Sequence, residues 1–149
     1  MTMDRDELLA REERAWDAFW AEVAGVPEER RSAGDVVPGW SVHDLVWHCA
    51  AWADFAGEHF ESLEPGPFVD PFDAHDDADW DGVNDDIATA SKAMSWDEVV
   101  EGTQRARVRA RAALTALPDV SDAAAAWFGE ETFVHYDEHA LHVRAFLDG

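Results

Sequence analysis

Two histidines near the end of the sequence, His135 and His139, have the spacing that a metal site on a helix requires. Residues four apart lie on one face of an α-helix with their Cβ atoms about 5–6 Å apart, so both imidazoles can reach one ion. The same spacing also occurs where the rings are only solvated or hydrogen-bonded. The pair therefore indicates a metal site only if further ligands join it.

A third histidine, His48, lies on the inward-facing stripe of an earlier predicted helix. On the last helix, both histidines share an apolar stripe with Tyr136 and Val143, and an imidazole without a partner is costly in such an interior. Three histidines that leave one position open form the arrangement of catalytic zinc sites, and nickel also binds imidazole. We therefore predict that His48, His135 and His139 hold a divalent metal, zinc or nickel.

The four remaining histidines are less suited to this site. His142 extends the row on the last helix by one turn, so it can replace the first histidine of the pair or contact a ligand. His59 lies 11 residues past His48, about 16 Å along the helix axis, which is too far to share an ion. His43 lies off the helix stripe and His75 lies in an acidic segment, so both are expected to be solvated.

Four segments that carry apolar residues at a three-to-four spacing predict the amphipathic helices that position these histidines. Two of them begin at capping boxes, Ser41 with Asp44 and Ser95 with Glu98. A shorter helical piece precedes the third helix, and an alanine-rich connector precedes the last. The predicted helices span about 4–24, 41–63, 80–93, 95–117 and 130–147, and the connector spans 121–129. No stretch alternates with the period of two that predicts a strand.

Residues 64–79 contain three prolines and many aspartates, which predict an acidic surface loop. The run from Asp77 to Gly82 matches the start of a calcium-binding EF-hand loop. The twelfth position of that loop is Ala88 where a bidentate glutamate is required, and no helix is predicted to enter it. Calcium binding is therefore not expected there.

The predicted fold class is all-α, an up-down four-helix bundle. A chain of 149 residues has the size of one domain, so residues 1–149 are predicted to form a single domain. Long helices with short connections pack as neighbours, and the interior of such a bundle is a common place for metal sites built from facing helices. The predicted fold and the histidine pattern agree.

Composition narrows the classes of partner. The chain has 33 acidic and 11 basic residues and a formal charge of -22, which disfavours nucleic acids and anionic lipid surfaces. The first residues are polar and no apolar run approaches the roughly 20 residues of a membrane span, so we expect a cytoplasmic protein without membrane contact. Cys49 is the only cysteine, so a site built from several thiolates of one chain is excluded.

Two segments carry a family resemblance: residues 38–48 read PGWSVHDLVWH, and residues 135–139 read HYDEH. They resemble the DinB/YfiT-like superfamily of four-helix bundles. That family places one metal-binding histidine at the end of a W-S-x-x-D-x-x-x-H segment and two more, four residues apart, on the last helix. The resemblance implies that these positions are His48, His135 and His139. Within the superfamily, Trp52, Asn84 and the H-Y-x-E-H pattern are most similar to the colibactin self-resistance branch.

The superfamily includes thiol-dependent transferases, such as mycothiol-dependent maleylpyruvate isomerase, that use a divalent metal to activate a low-molecular-weight thiol. The resemblance implies a metal-dependent enzyme that activates a thiol or water for transfer to, or hydrolysis of, an electrophilic small molecule, in detoxification or a stress response. The residues expected in the substrate pocket are Trp52, Asn84, Glu138 and His142. No catalytic residue is assigned.

The sequence leaves two other functions open. One is a non-catalytic protein that captures a reactive small molecule in an apolar cleft, as the self-resistance branch implies, and the eight tryptophans would suit such a cleft. The other is a bundle that keeps the histidine geometry without binding metal and whose main surface is a homodimer interface. Metal content and the stoichiometry of electrophile consumption separate these functions from an enzyme.

Overall fold

A computed structural model of the chain describes residues 3–63, 67–74 and 79–149. Within these residues the chain is helical, with one isolated antiparallel bridge between Val37 and Trp40 and no strand. The all-α prediction is confirmed. The helices are α1 (Arg5–Ala24), α2 (Val42–Glu61), α3 (Pro71–Ala74), α4 (Trp80–Ser91), α5 (Trp96–Ala116), α6 (Asp122–Glu131) and α7 (Phe133–Asp148), with a short 3-10 helix at Glu28–Arg30.

The four long helices α1, α2, α5 and α7 form the bundle, in which α2 packs mainly on α5 and α1 mainly on α7. The helices α2 and α5 approach closely where Gly57 lies, since a Cβ atom there would be 3.1 Å from the backbone nitrogen of Ala110. Helix α4 covers a further face of α2. No helix in the described part of the chain is long and apolar enough to cross a membrane.

A buried ion pair joins α1 to α5. Glu12 is 1% exposed and accepts two hydrogen bonds from Arg107, at 2.7 and 2.6 Å, and one from Arg111 at 2.9 Å. A carboxylate buried at this depth needs such partners, because an unpaired buried charge is strongly destabilising. The two arginines therefore explain why an acidic residue occupies the apolar stripe of α1.

The alanine-rich connector predicted for residues 121–129 is wrong, because these residues form most of helix α6. The Ser121 hydroxyl accepts a hydrogen bond from the backbone N–H of Ala124 at 3.1 Å and so caps the helix. Alanine also has the highest helix propensity of any residue. The last helix begins at Phe133, three residues later than predicted, because Thr132 has the non-helical angles φ -121° and ψ -93°.

The surface loop predicted for residues 64–79 is wrong at residues 71–74, whereas residues 67–70 form neither helix nor strand. Residues 71–74 form the short helix α3, which begins with Pro71 at a position where its missing N–H costs nothing. Phe68 and Phe72 pack against the buried cluster that contains Phe60 and Trp127. His75 and the beginning of the calcium-loop-like run, residues 77–78, lie outside the described residues.

Candidate metal centre

The first turn of α2 is fixed by the capping box that the sequence predicts. The backbone N–H of Ser41 donates to Asp44 at 3.0 Å, and the backbone N–H of Asp44 donates to the Ser41 hydroxyl at 3.2 Å. Asp44 is 2% exposed and also accepts hydrogen bonds from Ser91 and, at 2.7 Å, from Lys92. These contacts tie the start of α2 to the end of α4, one turn before His48.

Ionisation of Asp44 strengthens this anchor. Burial opposes ionisation, but the hydrogen bonds from Lys92, Ser91 and Ser41 outweigh it, so the pKa of Asp44 lies below its ordinary value. The carboxylate is therefore charged at neutral pH, when it accepts these hydrogen bonds most strongly. It holds the helix end that carries the first candidate ligand.

A tight turn places an aromatic ring over the first histidine. Gly39 has a φ of 84°, which glycine adopts without steric cost, and the backbone N–H of Trp40 donates to the Val37 carbonyl at 2.9 Å. The turn brings the ring centroid of Trp40 to 4.6 Å from that of His48. Trp40 thus shields one face of this imidazole from solvent.

The other two histidines lie on the first two turns of α7. Thr132, which separates α6 from α7, is fully buried and donates its hydroxyl hydrogen to the Phe128 carbonyl at 2.6 Å. Tyr136 and Val143, at 1% and 0% exposed, anchor the inward face of α7. His135 and His139 share this side of the helix and point towards α2.

The structure brings His48, His135 and His139 together, with one potential ligand atom from each lying within 4.8 Å of the others. The ring centroids are 4.6 Å apart for His48 and His135, 4.7 Å for His135 and His139, and 5.3 Å for His48 and His139. The Nε2 atoms of His48 and His135 are 2.8 Å apart. Within the described residues, no carboxylate or thiolate joins this group.

Burial keeps the three rings uncharged. It is the main cause that lowers the pKa of His48, His135 and His139 to about 3 in each case, and the neighbouring histidines lower it further. Neutral imidazole is the form that binds metal ions. The three lone pairs are therefore available at neutral pH without loss of a proton.

This donor set fits a divalent cation. His48 and His135 direct both Nε2 atoms at the same space, where one ring must donate a proton to the other unless a cation accepts both lone pairs. Three imidazoles with the remaining positions open suit zinc or nickel. The Nδ1 atoms of His48 and His135 are buried without a hydrogen-bond partner among the described residues. A metal-binding histidine usually donates a hydrogen bond from its second ring nitrogen, and these two rings lack that bond to any described residue.

A cleft of about 460 Å³ opens beside the histidines. The indole N–H of Trp52, on α2, donates to the side-chain oxygen of Asn84, on α4, at 2.9 Å, and this hydrogen bond joins two elements of its wall. A cavity of this size holds a small organic molecule. The cleft is lined by His48, Trp52, Phe72, Trp80, Asn84, Glu130, Glu131 and His135.

Of the four residues expected in the substrate pocket, two line the cleft and two do not. Trp52 and Asn84 line the cleft, whereas Glu138 is exposed and is not among its described lining residues. His142 is also outside the lining, and its Nδ1 atom is 3.0 Å from that of His139. His142 is thus placed to orient the His139 ring.

Two side chains near the ligands, His43 and Cys49, are buried. His43 was expected to be solvated, but it is 6% exposed and its Nε2 lies 3.0 Å from the Met94 carbonyl oxygen, so that expectation is wrong. His43 packs there against Trp96. Cys49, next to His48, is completely buried, and burial raises the pKa of its thiol. Cys49 is therefore a core residue without access to the cleft.

The sequence did not predict Phe72, Trp80, Glu130 or Glu131 in the cleft lining. Of these, Glu131 is the buried acidic residue. It is 6% exposed, lines the cleft, and forms no hydrogen bond or ion pair with another described residue. Burial, together with the nearby charges of Glu130 and Asp70, raises the pKa of Glu131 to about 8. The signal available in the sequence was its position four residues before His135, the same spacing that connects the two histidines of α7.

The comparisons with known proteins agree with this architecture. A family model of the DinB superfamily matches residues 12–142, which include the three clustered histidines. No curated protein and no solved structure gives a significant match. Because the match covers most of the chain, the chain belongs to the DinB superfamily.

Proposed function

We propose that the protein is a metal-dependent enzyme in which His48, His135 and His139 hold zinc or nickel. The observation that carries this proposal is the grouping of three neutral imidazoles, with ligand atoms within 4.8 Å of one another, at the edge of a cleft. When bound, the ion would lower the pKa of a coordinated thiol or water and so supply a nucleophile at neutral pH. Membership of the DinB superfamily supports the same function.

The chain's own residues would position the substrate. His48 and His135 face the cleft, so a molecule held against Trp52 lies next to the candidate ligands. The hydrogen bond between Trp52 and Asn84 keeps this wall in place. Attack by the sulfur of a low-molecular-weight thiol on an electrophilic carbon in the cleft would form a carbon–sulfur bond and break the bond to the leaving group, and the thiol proton would pass to solvent. Attack by water in the same way would hydrolyse the molecule. Detoxification or a stress response is the proposed setting.

Metal analysis of protein purified without an affinity tag or chelator tests the site. We expect about one transition metal per chain in the wild type and none in a folded variant carrying both His135→Ala and His139→Ala. His59→Ala is the matched control, because its ring bonds to the Val69 carbonyl outside the three-histidine group. If the wild type binds no metal after reloading with zinc or nickel, the metalloenzyme proposal is wrong.

A second candidate function is the capture of a reactive small molecule without turnover, as in the colibactin self-resistance branch that the sequence resembles. The aromatic wall formed by Trp52, Phe72 and Trp80 favours this function. An enzyme consumes many equivalents of an electrophile, such as an alkyl halide offered with a thiol, whereas a capturing protein saturates at about one equivalent per site. Removal of the metal would stop turnover by an enzyme but would leave stoichiometric capture unchanged.

A further inference from the structure

The lining of the cleft combines three aromatic rings with buried acid. The ring centroids of Trp52, Phe72 and Trp80 lie 4.8 to 6.1 Å apart, so the rings pack against one another and form an aromatic wall of the cleft. Aromatic faces carry negative electrostatic potential and attract organic cations, most strongly where the site is desolvated. Trp52 is 7% exposed, which places its ring in such surroundings.

Apart from the candidate metal ligands, the ionisable side chains of the described cleft lining are acidic. Glu130 and Glu131 line the cleft, and no lysine or arginine is among its described lining residues. Asp70 is near enough for its charge to act on Glu131. The acidic part of this surface therefore favours a positively charged group over an anion.

Glu131 lacks the partner that a buried carboxyl group requires. Glu131 is 6% exposed, and no described side chain or backbone group donates a hydrogen bond to its carboxyl oxygens. A largely buried carboxyl group that lines a cleft without a protein partner is available to a ligand that supplies this contact. A positively charged or N–H-bearing group would do so for Glu131.

We propose that the cleft beside the three histidines binds a substrate carrying an organic cation, such as a substituted ammonium group, between the rings of Trp52, Phe72 and Trp80 and the carboxylate of Glu131. The inference rests on the proposed function only in that it treats this cleft as the substrate site. Recognition of the cation needs no metal, so the cation site and the metal site can be tested separately. Because burial holds the pKa of Glu131 at about 8 in the empty cleft, a bound cation would favour loss of its proton.

Two probes of matched shape test the proposal: choline and its uncharged carbon isostere, dimethylbutanol. Binding of each to the full chain is measured by calorimetry at physiological ionic strength, with and without reloaded zinc. We expect choline to bind about tenfold more tightly than dimethylbutanol, in keeping with a desolvated cation–π contact. Equal affinity for the two probes would overturn the proposal, because the cleft would then be recognising apolar shape alone.

Three variants assign the effect to the cleft. Glu131→Gln keeps the shape of the side chain and is expected to remove most of the preference for choline, and Trp80→Leu is expected to weaken choline binding severalfold. Glu58→Gln makes the same charge change at an exposed position of α2 outside the cleft lining and should leave the preference intact. Loss of the preference in Glu58→Gln would show attraction by the overall charge of -22 and contradict a built site.

Metal content, measured in the same samples, separates this inference from the proposed function. A metal-binding protein without preference for choline would keep the proposed function and refute the cationic substrate. A metal-free protein that still prefers choline through Glu131 would support the cation site and refute the metalloenzyme.

Discussion

The Nε2 atoms of His48 and His135 lie 2.8 Å apart although the two residues are 87 positions apart in the sequence. One comes from α2 and the other from α7, so the contact closes the bundle at the edge of the cleft. Together with His139 it offers three imidazoles to one point. A metal bound at this point would link α2 to α7 and stabilise the fold as well as the site.

We expect zinc or nickel to raise the melting temperature of the metal-free protein. A ligand that binds only the folded state stabilises it by about 2.7 kcal/mol at a concentration 100 times its dissociation constant. For a chain of this size that corresponds to a rise of roughly 5–10 °C. Differential scanning fluorimetry of chelator-treated protein, with and without added ion, measures the shift.

The histidine variants show whether the shift comes from the proposed ligands. His135→Ala combined with His139→Ala should abolish it, whereas His59→Ala should retain it because that ring lies outside the group. An equal shift in the wild type and the double variant would mean that the ion binds elsewhere, for instance to surface carboxylates.

The grouping of the three histidines could be predicted because its signals are local. His135 and His139 have the i, i+4 spacing of one helix face, and His48 follows the Ser41–Asp44 capping box at a fixed distance along α2. Capping boxes and amphipathic stripes also located the four long helices. Such signals depend on neighbouring residues and not on how the helices finally pack.

Glu131 could not be predicted by the same means, because its burial depends on tertiary structure. It is the last residue of α6, and the break at Thr132 turns the following helix towards α2. The nearest glycine, Gly129, lies three residues before this break, so the sequence places the start of the last helix at residue 130 and includes Glu131 in that helix. The cleft lining from Phe72 was hidden for a similar reason, since α3 lies in a segment rich in proline and aspartate.

Acid should destabilise the metal-free protein through the three histidines. Their pKa is about 3 in the folded state and 6.5 ordinarily, so the unfolded chain binds more protons below about pH 6.5. Their contribution to stability is full above pH 6.5 and is lost as the pH falls towards 3. Each histidine contributes at most about 1.4 kcal/mol per pH unit.

Urea unfolding of chelator-treated protein between about pH 6.5 and 5 measures this loss, since ordinary carboxylates titrate at lower pH. The variant with His135→Ala and His139→Ala should lose stability less steeply than the wild type over the same range. Parallel slopes in the two proteins would show that the rings are not held neutral by the fold.

Glu131 should have the opposite dependence on pH. Its pKa is raised from 4.5 to about 8 in the folded state, so the folded protein holds a proton that the unfolded chain releases. The stability associated with the protonated carboxyl group is present below about pH 4.5 and is lost as the pH rises to about 8. Glu131→Gln keeps an uncharged side chain at every pH.

The difference in unfolding free energy between the wild type and Glu131→Gln isolates this effect. We expect the wild type to lose stability relative to the variant by up to about 1.4 kcal/mol per pH unit between pH 5 and 8. Glu58→Gln, at an exposed position, should show no such trend against the wild type. A constant difference between the wild type and Glu131→Gln would mean that Glu131 ionises normally.

The hydrogen bond between Trp52 and Asn84 should hold α4 against α2 and thereby shape the cleft. Its indole donor and amide acceptor are 2.9 Å apart, and Trp52 is 7% exposed. A partly buried hydrogen bond of this kind contributes about 0.5–1.5 kcal/mol. A double-mutant cycle with Trp52→Phe and Asn84→Ala should give a coupling energy in that range, because each change removes one partner of the same bond.

Trp20 provides the control for this cycle, since its ring stacks on Trp16 and Trp96 away from the cleft lining. Trp20→Phe combined with Asn84→Ala should show additive effects on the free energy of unfolding. Additivity in the Trp52 cycle as well would mean that the bond does not stabilise the docking of α4, and the wall of the cleft would then depend on aromatic packing with Phe72 and Trp80 alone.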